Sequence, residues 1–581
     1  MANAHAPGVP SPDAGRSAST PAGRRVGTRV TVRIALEALG VLIVVAFALI
    51  AVAHVLQTQR APVLLSDGDS VILPIMLRSF TEGEPQLWAM SAVLFAFPEI
   101  PLYLLSAAIG HTPQLAFIVN AAVNVLAAYG ALRLLIRFVA PKLAPTLRVA
   151  AGIVPIGWLV LLVSLEHTAL RDSFELASLF LTTTYYSGST LGLLVTIALL
   201  TGIVGRRDTR AIGLLVALGV LTALCMSSNP LHVVWSVAPA IGTVLILSSV
   251  RRAPWRTSLV VIGVLAAGTV VGLALRIPFA RNISTGLQGY IRPDGWLVSS
   301  EYYGARLGDT TTSASGVIEI ILVILAALVT IVMAVLAISR RWDRRTTTAL
   351  VAAALAIATT FLAMMTLGTE AARYFAPVWF GAVAAIAVGS AHAAGRLQGW
   401  WRTQSVPQAA VTASNGRRST VRTAALAVAA VLVIGTLVGG GAAMRSIAAD
   451  PDAQRFDGAA CVSEWVDGRD ITGAGQFWTI RGLQAYGGPD VRLLQIDASF
   501  HPYLWITNAA DFTGQDVSYL VVDDQSAWYH PLEQDLGEPA SRISCGGFTI
   551  LDYGGTPGEA KLTTLIGDSA RQQRAERGLE H

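Results

Sequence analysis

The chain has 581 residues, of which 53% are hydrophobic and 14% charged, with a mean hydropathy of +0.56. A soluble domain carries about 25% charged residues, so the composition excludes an ordinary soluble protein and indicates a polytopic membrane protein. The net charge of +5 comes from arginines spread over short loops, which reads as membrane topology and argues against nucleic-acid binding.

Residues 1–32 are rich in Pro, Ala, Ser and Gly, carry Arg16, Arg24, Arg25 and Arg29, and read as a disordered cytoplasmic tail. Apolar runs of roughly 20 residues follow. They lie near 34–56, 114–138, 149–166, 188–205, 211–227, 231–250, 257–276, 316–338, 347–367, 374–394 and 423–445, about eleven in all. The first has no small-x-small exit, so it reads as a span rather than a cleaved signal peptide. Segment 88–110 is also apolar, but Phe97-Pro-Glu-Ile-Pro101 interrupts it. Proline breaks helix, and a glutamate at mid-bilayer costs roughly 2.5 kcal/mol or more. That segment is therefore placed outside, as an interfacial or re-entrant pair of helices.

Arginine marks alternate loops: Arg133 to Arg148, Arg206 to Arg210, Arg251 to Arg256, Arg340 to Arg345 and Arg396 to Arg422. This alternation predicts a cytoplasmic N-terminus, an outer face for the remaining loops, and a multi-pass plasma-membrane protein. The predicted organisation is mainly α. A transmembrane helical bundle at 33–445, with a long outer loop at 57–113, precedes an extracytoplasmic α/β domain at 446–555 and a flexible tail at 556–581. In the α/β domain, strand-like runs at 491–496, 517–522 and 548–553 alternate with turns, and a helix is expected near 457–467. Cys461 and Cys545 both fall there and are expected to form a disulfide, whereas Cys225 lies in a span.

The first outer loop holds five acids: Asp67, Asp69, Glu82, Glu84 and Glu99. Asp67-Gly68-Asp69 is either a turn whose Asp69 caps a helix from Val71 to Phe80, or a reactive pair. As a pair, one acid takes a proton from a sugar hydroxyl, or both share a divalent cation such as Mg or Mn. Partial burial at the membrane surface would raise a carboxylate pKa toward a useful range. Glu99, between two prolines, is either a pocket residue or a surface acid. The loop at 166–187 offers His167 and Arg171, four apart, and Tyr185 and Tyr186, which line a sugar pocket or form an aromatic belt. His232 sits just inside the boundary of the next outer turn. The 277–315 loop is rich in arginine against the trend, and Arg281 and Arg292 there suggest an anionic ligand such as phosphate, or salt bridges within the loop. Arg373, opening a late span, snorkels, pairs with Glu370, or holds a lipid phosphate. In the outer domain, Trp465, Trp478, Arg481 and Tyr486 either stack on an acceptor glycan or form core.

Together, Asp67-Gly-Asp69 in a long first outer loop, Ala372-Arg-Tyr-Phe-Ala-Pro377, about eleven spans and an outer α/β tail resemble the GT-C superfamily of integral membrane glycosyltransferases, with an actinobacterial-type Phe97-Pro-Glu-x-Pro element. The resemblance covers most of 34–445 as architecture. It implies a polyprenyl-phosphate sugar donor, a glycan or glycolipid acceptor, an acid of the first outer loop as base, and basic residues near the outer boundary holding the donor phosphate. Asp67 or Asp69 would then be catalytic, with Arg373 and Arg281 or Arg292 on the phosphate. The motif departs from the adjacent Asp-Asp or Asp-Glu of mannosyl- and arabinosyltransferase members. The competing classes are a transporter or flippase of lipid-linked sugars, and a non-catalytic envelope-assembly protein. The spans carry almost no charge at mid-depth, which favours surface chemistry over translocation.

Overall fold

The computed structural model describes residues 22–206, 210–283, 291–404, 415–449, 456–526 and 532–579. The bundle contains α1 (Ala22–Leu56), α2 (Ala61–Leu65), α3 (Ile72–Thr81), α4 (Glu99–Gly110), α5 (Pro113–Val139), α6 (Pro145–Val163), α7 (Ser187–Val204), α8 (Arg210–Ser228), α9 (Ala238–Ser249), α10 (Trp255–Ala274), α11 (Trp296–Thr310), α12 (Ala314–Ser339), α13 (Arg344–Thr366), α14 (Ala376–Gln404) and α15 (Asn415–Ala449). Local chemistry sets several starts. The Thr112 side chain accepts from the Leu115 N–H, Ser313 from Gly316, and Asp343 from Arg345 and Thr346, each satisfying amides that a helix leaves open.

Among the described residues, ten helices are long and apolar enough to cross a membrane. They coincide with ten of the expected runs. The eleventh, Val233–Ser249, is shorter and opens with a π turn at Val233–Val237. It is joined to α8 and α10 by turns of only a few residues, which makes it antiparallel to both.

Hydrogen bonds tie the connecting loops into two layers. At one end Arg133 reaches Glu37 at 2.9 Å, the Ala144 N–H donates to Gln398 at 2.7 Å, Arg345 donates to the Gly205 carbonyl at 3.3 Å, and Arg252 donates to the Trp342 carbonyl. At the other end His54 meets the Glu166 carbonyl at 2.9 Å, Arg276 donates to the Ser227 carbonyl at 3.0 Å, and Ser299 donates to the Thr369 carbonyl at 2.7 Å. The arginine-marked loops therefore share one end, and the acidic loop with its partners shares the other.

The C-terminal domain adds α16 (Asp457–Val466), α17 (Phe477–Tyr486), α18 (Leu532–Leu536) and α19 (Pro557–Arg577) around a five-stranded sheet. The strands are β2 (Thr472–Gln476), β3 (Arg492–Ile496), β5 (Val517–Val522), β6 (Ser541–Cys545) and β7 (Phe548–Asp552), in the order β3-β2-β5-β7-β6. β2 runs parallel to β3 and β5, and β7 is antiparallel to β5 and β6. Cys461 and Cys545 form a disulfide that ties α16 to β6.

Three expectations need correction. Segment 88–110 holds β1 (Trp88–Ala89), which pairs antiparallel with β4 (Thr507–Asn508) of the C-terminal domain, and then α4. At 12 residues α4 is ~18 Å long, short of a ~30 Å hydrocarbon core, so the placement off the spanning set holds but half of the segment is not helix. The tail expected to be flexible at 556–581 instead forms α19, whose Leu562, Ile566 and Ala570, spaced by four, are buried against the sheet. The segment expected to be disordered at 1–32 is helical from Ala22, and residues 1–21 lie outside the described residues.

Candidate active site

The site is built from the turn after α1. Arg60 is fully buried and gathers the 166–178 segment around itself. Its guanidinium lies 3.3 Å from Glu175 and 3.6 Å from Glu166, and it donates to the Ser178 hydroxyl and the Thr168 carbonyl. Glu166 in turn accepts the Ala177 and Ser178 amides at 2.6 and 2.8 Å. A buried charge is tolerable only when paired and hydrogen-bonded, and here both conditions are met. The consequence is a fixed bed for the Asp67-Gly68-Asp69 turn.

That turn is pinned along its backbone. The Asp69 N–H donates to Asp67 Oδ1 at 3.2 Å. Thr184 and Thr183 donate to the carbonyls of Asp69 and Ser70 at 2.6 and 2.7 Å, and Ser70 donates to the Val63 carbonyl at 2.6 Å. Neither acid caps α3: Val71 holds the cap position with no side-chain bond, so the helix-cap reading of Asp69 falls. Gly68 is required for another reason. A Cβ there would stand 2.6 Å from the Phe477 ring and 3.0 Å from Trp478, because α17 of the C-terminal domain lies directly over it.

The two acids have different surroundings. Asp67 Oδ2 is 2.9 Å from Arg171 Nε, and Asp67 Oδ1 accepts from the Tyr185 hydroxyl. The Arg171 guanidinium lies 3.5 Å from the centroid of Trp478, so the pair is clamped between bundle and domain. Asp69 has no such direct clamp. Its Oδ2 is 4.0 Å from Arg373 Nη2, and Arg373 is held instead by Asp172 at 2.8 Å. Burial pushes the Asp69 carboxyl up to about 6, against the opposing pull of Arg373 and with a further push from Asp67. Burial also raises Asp67, opposed first by Arg171.

Asp69 faces a cavity of about 260 Å³. Tyr185, Tyr186, Arg292, Arg373 and Tyr374 line it from the bundle, Ser91, Val93 and Phe95 from the segment after β1, and Trp505 and Ile506 from the C-terminal domain. Arg292 pairs with Glu370 at 2.5 Å, and its carbonyl comes so close to Gly368 that a Cβ there would stand 1.9 Å away. Gly368 also has φ +65°, so glycine is needed twice over. Tyr186 holds φ +63°, a strained value for a bulky residue, and its ring meets Trp235 and Tyr374 edge-on.

Of the residues singled out in the sequence, Asp69, Arg292, Arg373, Tyr185 and Tyr186 converge on this cavity, with Asp67 and Arg171 directly behind it. Four do not. Arg281 is exposed on the Ile277–Asn282 turn, outside the lining. Glu99 is buried at the start of α4, where Ser228 donates to it at 3.4 Å and Gly188 packs against it, and burial raises it to about 7. His167 sits 3.2 Å from Ser315 and 3.6 Å from Glu175. His232 is fully buried against Gly192. None of these last three lines the cavity. The Glu370 partner expected for Arg373 goes to Arg292, and Asp172 takes its place. Asp172, Ser91, Phe95 and Trp505 carried no motif that sequence reading could seize.

The aromatic residues of the C-terminal domain are mostly structural. Trp465 packs edge-on against Tyr519. Arg481 is buried and donates to the Ile506 carbonyl at 2.8 Å, and Tyr486 donates to the Leu65 carbonyl at 2.5 Å. Arg78 of α3 donates to the Gln484 and Ala485 carbonyls, both at 2.8 Å, and so completes the last turn of α17.

A divalent cation shared by Asp67 and Asp69 does not fit this donor set. Both Asp67 oxygens already serve Arg171, Tyr185 and the Asp69 amide, and Arg373 stands beside Asp69. Among the described residues no group of three or more His, Cys, Asp or Glu is placed to hold a metal. The arrangement is one carboxylate, Asp69, beside the Arg373 guanidinium, with Arg292 on the same cavity wall.

No family model and no curated protein matches the chain. Among solved structures it is similar to the oligosaccharyltransferase of Archaeoglobus fulgidus in its apo form, with a TM-score of 0.46 and 12% identity, over 86% of this chain and 70% of that one.

Proposed function

We propose that this protein is a membrane glycosyltransferase that moves a hexosyl or pentosyl group from a polyprenyl-phosphate donor to a cell-envelope glycan or lipid acceptor at the outer face of the plasma membrane. The observation that carries the reading is the convergence of Asp69, Arg373 and Arg292 on one cavity at the loop end of the bundle. A lipid-linked donor keeps its chain in the bilayer, so its phosphate must lie at this depth. The arginine-rich loops at the opposite end support this orientation.

In this reading Arg373 and Arg292 hold the donor phosphate and stabilise the charge that grows on it as the bond to the sugar carbon breaks. The electron pair of that bond leaves with the phosphate, which needs no general acid. Asp69 takes the proton of the acceptor hydroxyl while its oxygen bonds to the sugar carbon from the opposite face, so the anomeric centre inverts. Asp67 is a positioning residue: it fixes Arg171 and Tyr185 and keeps the turn in place. Trp505 with Ser91, Val93 and Phe95 forms the cavity wall available to an acceptor.

The test is transfer by the purified protein in nanodiscs, with radiolabelled polyprenyl-phosphate sugars and envelope glycan acceptors. Asp69→Asn should lower transfer by about 10²–10⁴-fold, the usual worth of a general base. Asp67→Asn should lower it less. Full transfer by Asp69→Asn would remove the base assignment. Movement of intact donor across a vesicle membrane, with no sugar transferred, would replace the reading with a flippase.

A further inference from the structure

At the arginine-rich end, α12, α13 and α14 part to leave a groove of about 1030 Å³. It continues past Ala326, Val329 and Ile386 into a second hollow of about 450 Å³ against Trp158 and Leu161 of α6. Its walls are small or aliphatic. Gly389 opens directly onto free space, since a Cβ there would meet nothing within 4 Å. Only 28% of the central stretch of α12 is buried, so this side of the bundle faces lipid.

The mouth has a different chemistry. Trp342, Trp400, His392 and Arg396 ring it, with Asp343. Asp343 is already committed, because its Oδ1 accepts the Arg345 and Thr346 amides at 3.1 Å each at the start of α13. His392 Nε2 lies 2.7 Å from the Thr346 hydroxyl. Arg340, Arg341 and Arg344 stand on the adjoining turn, so the balance of charge is positive.

We infer that this groove holds one anionic glycerophospholipid of the leaflet at the arginine-rich end, with its phosphate at Arg396 and an acyl chain between α12 and α14. From Ala385 to Trp400 the groove runs ~22 Å along α14, more than the ~15 Å of hydrocarbon in one leaflet, which leaves room for the headgroup. Tryptophan and arginine at one level mark headgroup depth, and basic pockets between helices at this face select anionic lipids. The inference does not rest on the proposed glycosyl transfer, because the site lies at the other end of the bundle.

The test is native mass spectrometry of the full chain in detergent, titrated with dioleoylphosphatidylglycerol or, at the same chain length, dioleoylphosphatidylcholine. The first phosphatidylglycerol should bind about fivefold more tightly, the effect of one arginine at an anionic surface. Arg396→Gln should erase that preference. Gly389→Leu, whose side chain enters the open groove, should weaken both lipids. Added phosphatidylglycerol should raise the Tm of the wild type but of neither variant. Equal binding of the two lipids, or retention of wild-type behaviour by Gly389→Leu, would overturn the proposal.

Discussion

Asp69 should be both necessary for transfer and a cost to the fold. Its side chain is only 16% exposed, and burial lifts it from the ordinary 3.8 to about 6. Below about pH 4 the acid is neutral in folded and unfolded chains alike, and it costs nothing. Between about 4 and 6 the unfolded chain ionises first, so the folded state binds more protons and stability falls as pH rises. Above about 6 the loss is complete. The gap from 3.8 to about 6, at 1.36 kcal/mol per pH unit, corresponds to about 3 kcal/mol. Asp69→Asn removes this term. It should therefore gain on the wild type by up to about 3 kcal/mol between pH 4 and pH 8, while losing transfer. Wild-type kcat should rise about tenfold per pH unit below 6 and level off above it. The assay is unfolding in detergent, followed by helical circular dichroism across that pH range, beside transfer rates. A wild-type-to-variant gap that does not change with pH, or a variant less stable at pH 8, would refute the reasoning.

Other expectations follow from named contacts. Arg373→Ala strips Asp172 of its partner and leaves Asp69 without its nearby cation, so donor KM should rise and kcat/KM should fall by ~10–100-fold, with Arg373→Lys recovering part of the loss in the same kinetics. Gly68→Val drives a side chain into Phe477 and Trp478; overpacking of this kind costs about 1–3 kcal/mol and should show as faster protease cleavage between bundle and domain. Cys461→Ser opens a disulfide spanning 84 residues, which on chain-entropy grounds stabilises by about 4–5 kcal/mol, so the C-terminal domain should unfold at markedly lower denaturant with transmembrane helicity retained.

The parts of the fold that obey a single period were readable. Spans follow from apolar run length, and their alternation from arginine, because both depend on the chain's local composition and on the bilayer. The strands β3, β5 and β7 likewise show as short, largely apolar runs between turns. β2 does not, because Thr472-Gly-Ala-Gly-Gln476 has two glycines and no branched aliphatic residue, and only its pairing on both sides, with β3 and β5, makes it a strand. The helix at 557–577 was missed because its polar residues hide the stripe Leu562, Ile566, Ala570. In the site, acids and arginines stood out by charge. Trp505 and the 91–95 segment did not, because what brings them to the cavity is the pairing of β1 with β4, a contact across about 420 residues of chain that no local pattern encodes. His232 and Glu99 are buried away from the cavity and His167 stands half-exposed beside Glu175, placements that a titratable residue's position in the chain does not reveal.

The acid's strength follows from the seam more than from the loop that carries it. On its own, Asp67-Gly-Asp69 would be a solvated turn with two ordinary carboxylates. Four contacts bring the C-terminal domain down on it: Arg78 on the end of α17, Tyr486 on the Leu65 carbonyl, Phe477 and Trp478 over Gly68, and Trp478 on Arg171. Arg481 and Tyr503 of the domain sit close enough to feel the Asp69 charge. The desolvation that raises Asp69 thus comes in part from docking, and docking in turn pays for the buried charge with the apolar contacts of Phe477, Ala485 and Ile506 in the bundle's core. A site assembled this way cannot be moved to the loop alone. A substitution that loosens the domain, Gly68→Val above all, should lower the pKa of Asp69 and weaken it as a base before it unfolds anything.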